Sequence, residues 1–227
     1  MGKKTKPDLI RLGINVPWSS RWFFKKESKF FLEEDCLIRD IISNKLKRAG
    51  IDSVGIERTR EDIKVLIKSN KPGLIIGRQG KGIEDLRDEL IKKIKSLRKE
   101  KEINKDFSLK VDVIELRRTE LSSNVIADQI ASDIERRIPF RVVMKRNIRT
   151  IEQNREVEGV KLQVAGRLNG ADIARTEKMA SGKMPLNTLR ANIDYGEATA
   201  FTTYGCVGIK VWLYKGKVFE GEDSNNK

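Results

Sequence analysis

Apolar positions recur along this chain with two periods, and the switches between them lay out most of its elements. From Leu32 to Ala49, Leu37, Ile38, Ile41, Ile42 and Leu46 stand at helical spacing, and Gly50 stops the run. Cys36 is read with that apolar face. Period two follows: Asp52–Arg58 and Asp62–Ser69 are strand-like, with Ile63, Val65 and Ile67 alternating with polar neighbours. Thr59-Arg60-Glu61 is short enough to join them as a hairpin. Lys71-Pro72-Gly73 breaks the chain. A long helix then carries Ile83, Leu86, Leu90, Ile94 and Leu97 on one stripe and a Lys/Arg-rich face running to Lys101. A strand, Leu109 to Leu116, ends this first set.

The second set begins near Thr119. Leu121 to Arg137 is helical, with Ile126, Ile130 and Ile134 spaced by four, and Pro139 restarts the helix. There Phe140, Met144, Ile148 and Ile151 share one face, while Arg141, Lys145 and Arg149 share another. Gly159–Ala165 reads as a strand, and Ala171 to Leu189 as a Gly/Pro-punctuated excursion holding Arg175, Lys178 and Lys183. Two strands, Arg190–Tyr195 and Ala198–Thr203, lead to Val207–Leu213, the clearest alternation in the chain. The expected organisation is α+β. A basic irregular arm spans 1–31, one domain 32–118, a two-layer α+β domain 119–216, and a frayed tail 217–227. A chain of 227 residues is long enough for two such cores.

Between the break and the long helix lies Gly73-Leu74-Ile75-Ile76-Gly77-Arg78-Gln79-Gly80-Lys81-Gly82. Gly77 and Gly80 bracket two polar residues, the GXXG spacing of a KH module, whose loop clamps single-stranded RNA. Without a Cβ on either side of Arg78-Gln79, the backbone can turn tightly and approach sugar-phosphate. The next amides open a helix, so free N–H groups and the positive dipole end face the ligand. Ile76, Gly77, Arg78, Gln79, Gly80 and Lys81 are the candidate contacts, with Ile75 and Ile76 flooring a groove. A plain glycine turn between helices shares this spacing. The order helix-strand-strand-helix-helix-strand around it is that of a type II KH domain, and tips the reading.

Charge narrows the partners. The chain has 47 Lys+Arg against 33 Asp+Glu, net +14. Such an excess suits a polyanion, above all nucleic acid, although anionic membranes and acidic proteins also match charge alone. No run is apolar enough to span a bilayer, and the first residues lack the apolar core of a signal peptide. Cys36 and Cys206 lack metal-ligand spacing and read as reduced cytosolic thiols. Histidine is absent, which excludes histidine triads and histidine metal sites. No Walker A loop occurs either. Neither cofactor nor metal is expected, and an enzyme is disfavoured.

Two stretches concentrate the charge. In residues 1–31, Lys3, Lys4, Lys6, Arg11, Arg21, Lys25, Lys26 and Lys29 face only Asp8 and Glu27. Trp18, Trp22, Phe23, Phe24, Phe30 and Phe31 are interleaved, a mixture suited to stacking on bases and pairing with phosphates. The arm is expected to gain order on RNA. The same rings would also fit an arm docked on the body. From Arg136 to Thr150 there are six basic residues and no acid, a pattern that fits a phosphate track or a solvated face.

Several segments together resemble the small-subunit ribosomal protein S-three family in its bacterial form. They include Arg11-Leu12-Gly13-Ile14, Pro17-Trp18, the KH loop, Glu135-Arg136-Arg137, Phe140-Arg141 and Met144-Lys145-Arg146. Further on come Gly166-Arg167-Leu168-Asn169-Gly170-Ala171, Ala174-Arg175-Thr176-Glu177, Thr188-Leu189-Arg190-Ala191, Thr202-Thr203-Tyr204-Gly205 and Gly208-Ile209-Lys210-Val211-Trp212. The resemblance covers residues 2 to about 216. It implies a cytoplasmic structural protein of the small-subunit head, with ribosomal RNA, messenger RNA and the S-ten and S-fourteen proteins as partners. It further implies that Arg141, Lys145, Arg146 and Arg149 face incoming messenger and help hold and unwind it. Lys3, Lys4, Lys6, Arg11, Trp18, Arg21, Arg136, Arg137, Arg167, Arg175 and Arg190 are implied to meet ribosomal RNA. The chain departs from the family at Val142, where a second arginine is usual, and at Lys6, where histidine is common. A free RNA chaperone or translational regulator fits the charge and the KH order equally well; the family segments argue against it.

Overall fold

The computed structural model describes residues 4–22, 28–46, 49–59, 62–101, 107–116 and 121–218. Its elements are α1 (Pro7–Arg11), β1 (Ser20–Arg21), α2 (Ser28–Lys45), β2 (Ile51–Arg58), β3 (Asp62–Ser69), α3 (Pro72–Ile76), α4 (Lys81–Glu100) and β4 (Ser108–Glu115). There follow α5 (Ser123–Glu135), α6 (Phe140–Glu152), β5 (Gly159–Gly166), β6 (Arg175–Gly182), β7 (Ala191–Thr202) and β8 (Gly205–Lys217). The chain falls into two compact units, residues 18–117 and residues 1–17 with 118–227. Lys3, Phe23, Phe24, Lys25, Lys26 and all but the start of the predicted tail lie outside the described residues.

In the unit of residues 18–117, β2 and β3 form the expected antiparallel hairpin and β4 adds parallel to β3. A parallel neighbour needs a crossover, and α3 with α4 supply it. The stripe Leu86, Leu90 and Ile94 of α4 and Ile38 and Ile42 of α2 are fully buried against Ile56, Val65, Ile67 and Leu109. Each such side chain contributes roughly 1.5–3 kcal/mol. Cys36 is exposed. Two residues before Ile38 is about 200° around a helix, so it stands away from the apolar face it was read with. One charged knot is inside: Arg58 Nη1 donates to Glu34 Oε2 at 2.6 Å and Arg98 Nε to Glu34 Oε1 at 2.7 Å. Arg58 Nε reaches Asp35 Oδ1 at 2.7 Å, so α2, β2 and α4 are tied by charge as well as by packing.

In the other unit α5 and α6 cover one face of an antiparallel sheet ordered β6-β5-β8-β7. Val160, Leu162, Val164, Ile209, Val211 and Leu213 meet Ile130, Phe140 and Met144 across the layer. The excursion read over 171–189 contains β6, an edge strand paired along its whole length with β5. Only Met179 among its side chains joins the core, so it carries no apolar alternation to see. The two strands read either side of Gly196 are one, β7. A Cβ at Gly196 would lie 2.5 Å from the Ser123 carbonyl carbon and oxygen, so this glycine marks the close approach of α5 and not a break. Asp194 locks that approach, accepting from Ser123 N at 3.0 Å and Ser123 Oγ at 2.7 Å.

The described parts of the arm, residues 4–22 and 28–31, are folded where the sequence suggested irregularity. Trp22 and Phe31 pack edge to face, and β1 adds parallel to β2. Arg11, at the end of α1, is fully buried in the other unit. Its guanidinium donates to four carbonyls: Ala191 at 2.8 Å, Pro7 at 3.0 Å, Leu186 at 2.9 Å and Thr188 at 2.8 Å. Burial lowers its pKa, with Asp8 pulling the other way.

Asp8 gives this packing a pH dependence. Burial, and next Asp194, raise its pKa from 3.8 to about 6, against opposing pulls from Arg11 and Lys6. The folded state then binds the proton more tightly than the unfolded state, so stability falls as pH rises from about 4 to about 6. Asp8→Asn should therefore raise the melting temperature at pH 8 by a few degrees and give no gain at pH 4. A gain of the same size at both pH values would contradict the assignment.

Candidate nucleic-acid interface

The KH loop is built by backbone conformations that few residues accept. Gly77 takes φ 70° and ψ −172°, Gln79 φ 55° and Gly80 φ 81°. A Cβ at Gly77 would meet Gly82 N at 3.0 Å, whereas at Gly80 there is open space. So Gly77 is demanded by both crowding and φ, and Gly80 by φ alone. Gly82, which sequence spacing did not single out, is tighter still, with a Cβ position 2.5 Å from the Ile75 carbonyl oxygen. It lets α4 start directly against α3. Arg78, Gln79 and Lys81 are exposed around the open amino end of α4. Ile75 is in the core, so the exposed apolar floor is Ile76 with Leu74, and not Ile75.

On α6, Phe140, Met144 and Ile151 are buried and hold the helix to the sheet. Arg141, Lys145 and Arg149 stand exposed on another face. The acid-free look of this stretch is true along the sequence and false in space. Arg141 Nη2 lies 3.5 Å from Glu177 Oε1 of β6, and Arg146 pairs with Asp133 of α5. Among the described residues Lys145 and Arg149 have no acid partner. Val142 is 55% exposed on the same helix, an apolar gap in the row.

Other predicted cations divide by environment. Lys4, Arg136 and Arg190 are exposed. Lys6 pairs with Glu197, Arg21 lies 3.7 Å from Glu57, and Arg175 lies 3.6 Å from Glu177. Trp18 is 65% exposed, its ring free to stack. Arg137, with φ 65°, and Arg167 converge on one cleft beside Pro139, Phe140, Phe201 and Tyr204. Arg167 is partly spent, donating to Ala171 O at 2.9 Å and Tyr204 O at 3.2 Å. Arg11 cannot reach RNA, because its donors all point at carbonyls inside the fold.

Similarity to known proteins decides the family. Residues 37–121 match the KH domain family, and residues 130–213 match "Ribosomal protein S3, C-terminal domain". The small ribosomal subunit protein uS3 of Desulfovibrio desulfuricans is 43% identical over 98% of this chain and 99% of its own. That of Lawsonia intracellularis is 45% identical over 98% and 99%, and that of Hyphomonas neptunium 46% over 97% and 85%. The chain belongs to the uS3 family. Membership makes it a structural, RNA-binding protein of the small ribosomal subunit, cytoplasmic and not an enzyme. No helix among the described residues is long and apolar enough to cross a membrane.

Within this uS3 fold, sequence reading found the exposed cations but missed their partners. Glu177 follows Arg141 by 36 positions and Glu197 follows Lys6 by 191. Packing of α6 beside β6 and of α1 against β7 carries such distant acids to them, and no local pattern announces it.

Proposed function

We propose that the chain binds small-subunit ribosomal RNA through the KH loop and the exposed Lys4, Trp18, Arg136, Arg137 and Arg190, and that α6 faces messenger RNA entering the subunit. Neighbours of the S-ten and S-fourteen families fit the same location in the subunit head. The observation that carries the messenger reading is the pair Lys145 and Arg149. They stand one helical turn apart, about 6 Å along the axis, on a helix whose opposite side is immobilised. Arg141 adds a third cation, because an exposed ion pair such as the one with Glu177 is worth little and can be exchanged for phosphate. Such a row attracts a passing strand by charge and reads no bases, which suits a sliding contact. Held single strands cannot re-pair, so the same contact assists unwinding.

Translation through a stable messenger hairpin tests this. In ribosomes carrying Lys145→Ala with Arg149→Ala, subunit assembly should be normal and passage through the hairpin several-fold slower. Unstructured messenger should be read at close to the normal rate. Equal slowing on both templates would indicate a general assembly defect, and no slowing on either would reduce the row to a solvated face.

A further inference from the structure

One face of the C-terminal sheet is covered by α5 and α6; the other has lysines in its middle. Register places Gln163 of β5 opposite Lys178 of β6 and opposite Lys210 of β8, so Lys178, Gln163 and Lys210 form a row across three strands. Two residues along β5, Lys161 stands opposite Trp212, its Nζ 5.3 Å from the ring centroid. These positions alternate with the buried Val160, Leu162 and Val164, so they face away from the helices. Lys178 and Lys210 are exposed, while Lys161 and Trp212 are half-buried.

The cations crowd one another. Burial lowers the Lys161 pKa, and the charges of Lys178 and then Lys4 lower it further. Opposite Lys210 on β7 is Glu197, whose carboxylate is held by Lys6 and by the Tyr195 hydroxyl at 3.0 Å. Lys161 and Lys178 are diagonal neighbours on β5 and β6, near enough for their like charges to repel. A polyanion on this face would relieve that repulsion. Neighbouring strands are about 4.8 Å apart, so Lys178 and Lys210 stand roughly 10 Å apart with Gln163 between them. That width suits a nucleic-acid backbone, with the Gln163 amide free to donate to phosphate and the Trp212 edge to meet sugar or base.

We propose that this outer face, centred on Lys161, Lys178 and Lys210, is a second ribosomal RNA contact, separate from the KH loop and from α6. It rests on the reading that the chain sits on small-subunit RNA and names a surface for it. Charge and strand register favour RNA here; an acidic protein segment is the competing occupant, and the test separates them.

Full-length protein is titrated with a transcript of the small-subunit ribosomal RNA over a range of salt concentrations. Lys161→Ala, Lys178→Ala and Lys210→Ala together should weaken binding at least about tenfold and shrink the slope of log K against log salt by about 2–3, as loss of three phosphate contacts requires. Gln163→Glu alone, a change of one charge in the middle of the row, should weaken binding by a smaller factor in the same direction. A control with equal charge loss on α4, Lys92→Ala, Lys95→Ala and Lys99→Ala, should change affinity far less. The melting temperature of the sheet variant should stay level or rise, because repulsion is removed. If wild type binds the transcript and the sheet variant binds as well, RNA is not the occupant and the inference fails. The same holds if the control loses as much. If wild type itself does not bind, the ribosomal RNA reading fails first and takes this one with it.

Discussion

Changing Arg78 and Gln79 together to Asp is expected to cost this protein most of its affinity for short single-stranded RNA while its fold is kept. Both side chains are exposed, so their replacement falls among surface changes worth within about 0.5 kcal/mol of stability. Gln79 already sits at φ 55°, a region that Asp tolerates better than most residues. Function is another matter. The exchange removes one cation and sets two carboxylates beside the open amides of α4, where phosphate is drawn by the dipole. With an RNA oligonucleotide followed by fluorescence anisotropy, affinity should fall at least about tenfold, with weaker salt dependence. The melting temperature should move by no more than about 2 °C. Unchanged affinity would mean the loop is a glycine turn and not a clamp.

The largest loss of stability is expected at Arg11. Four carbonyls point at one guanidinium that water cannot reach, and Ala at this position would leave all four without it. Hydrogen bonds to a charged group are worth roughly 1.5–3 kcal/mol apiece and are not additive. A total loss of about 3–5 kcal/mol for Arg11→Ala is the expectation, at the upper end for a single substitution. Urea unfolding with hydrogen exchange read on β7 would measure it, since the Ala191 carbonyl lies at the start of that strand. Arg11→Lys should recover less than half, because one ammonium cannot span four acceptors set around a planar fork. A loss under 1 kcal/mol would show that the arm is only laid against the sheet. It follows that residues 4–17 are part of the C-terminal unit's fold, and that deleting them impairs stability before any RNA contact is considered.

What the sequence by itself determined is what depends on neighbours in the chain. The periods of Leu86, Leu90 and Ile94, of Ile63, Val65 and Ile67, and of Phe140, Met144 and Ile151 record the buried face of each element, because burial repeats with the backbone's own geometry. The GXXG spacing was legible for the same reason, its strained dihedrals being local. Family resemblance extended that reading to the whole chain. Tertiary structure alone decided the rest. Arg11 looks like any arm cation until the segments around Leu186, Thr188 and Ala191 bring their carbonyls to it. The edge strand β6 holds through pairing with β5 and has almost no apolar side to display. Gly196 reads as a break but serves the approach of Ser123. The cations of α6 look unopposed until the packing of α6 beside β6 sets Glu177 near Arg141, so that among the described residues Lys145 and Arg149 are the ones without an acid partner. The β5–β6 pairing joins residues 9 to 23 positions apart and the other deciding contacts join residues dozens of positions apart, and no local pattern encodes which groups will meet.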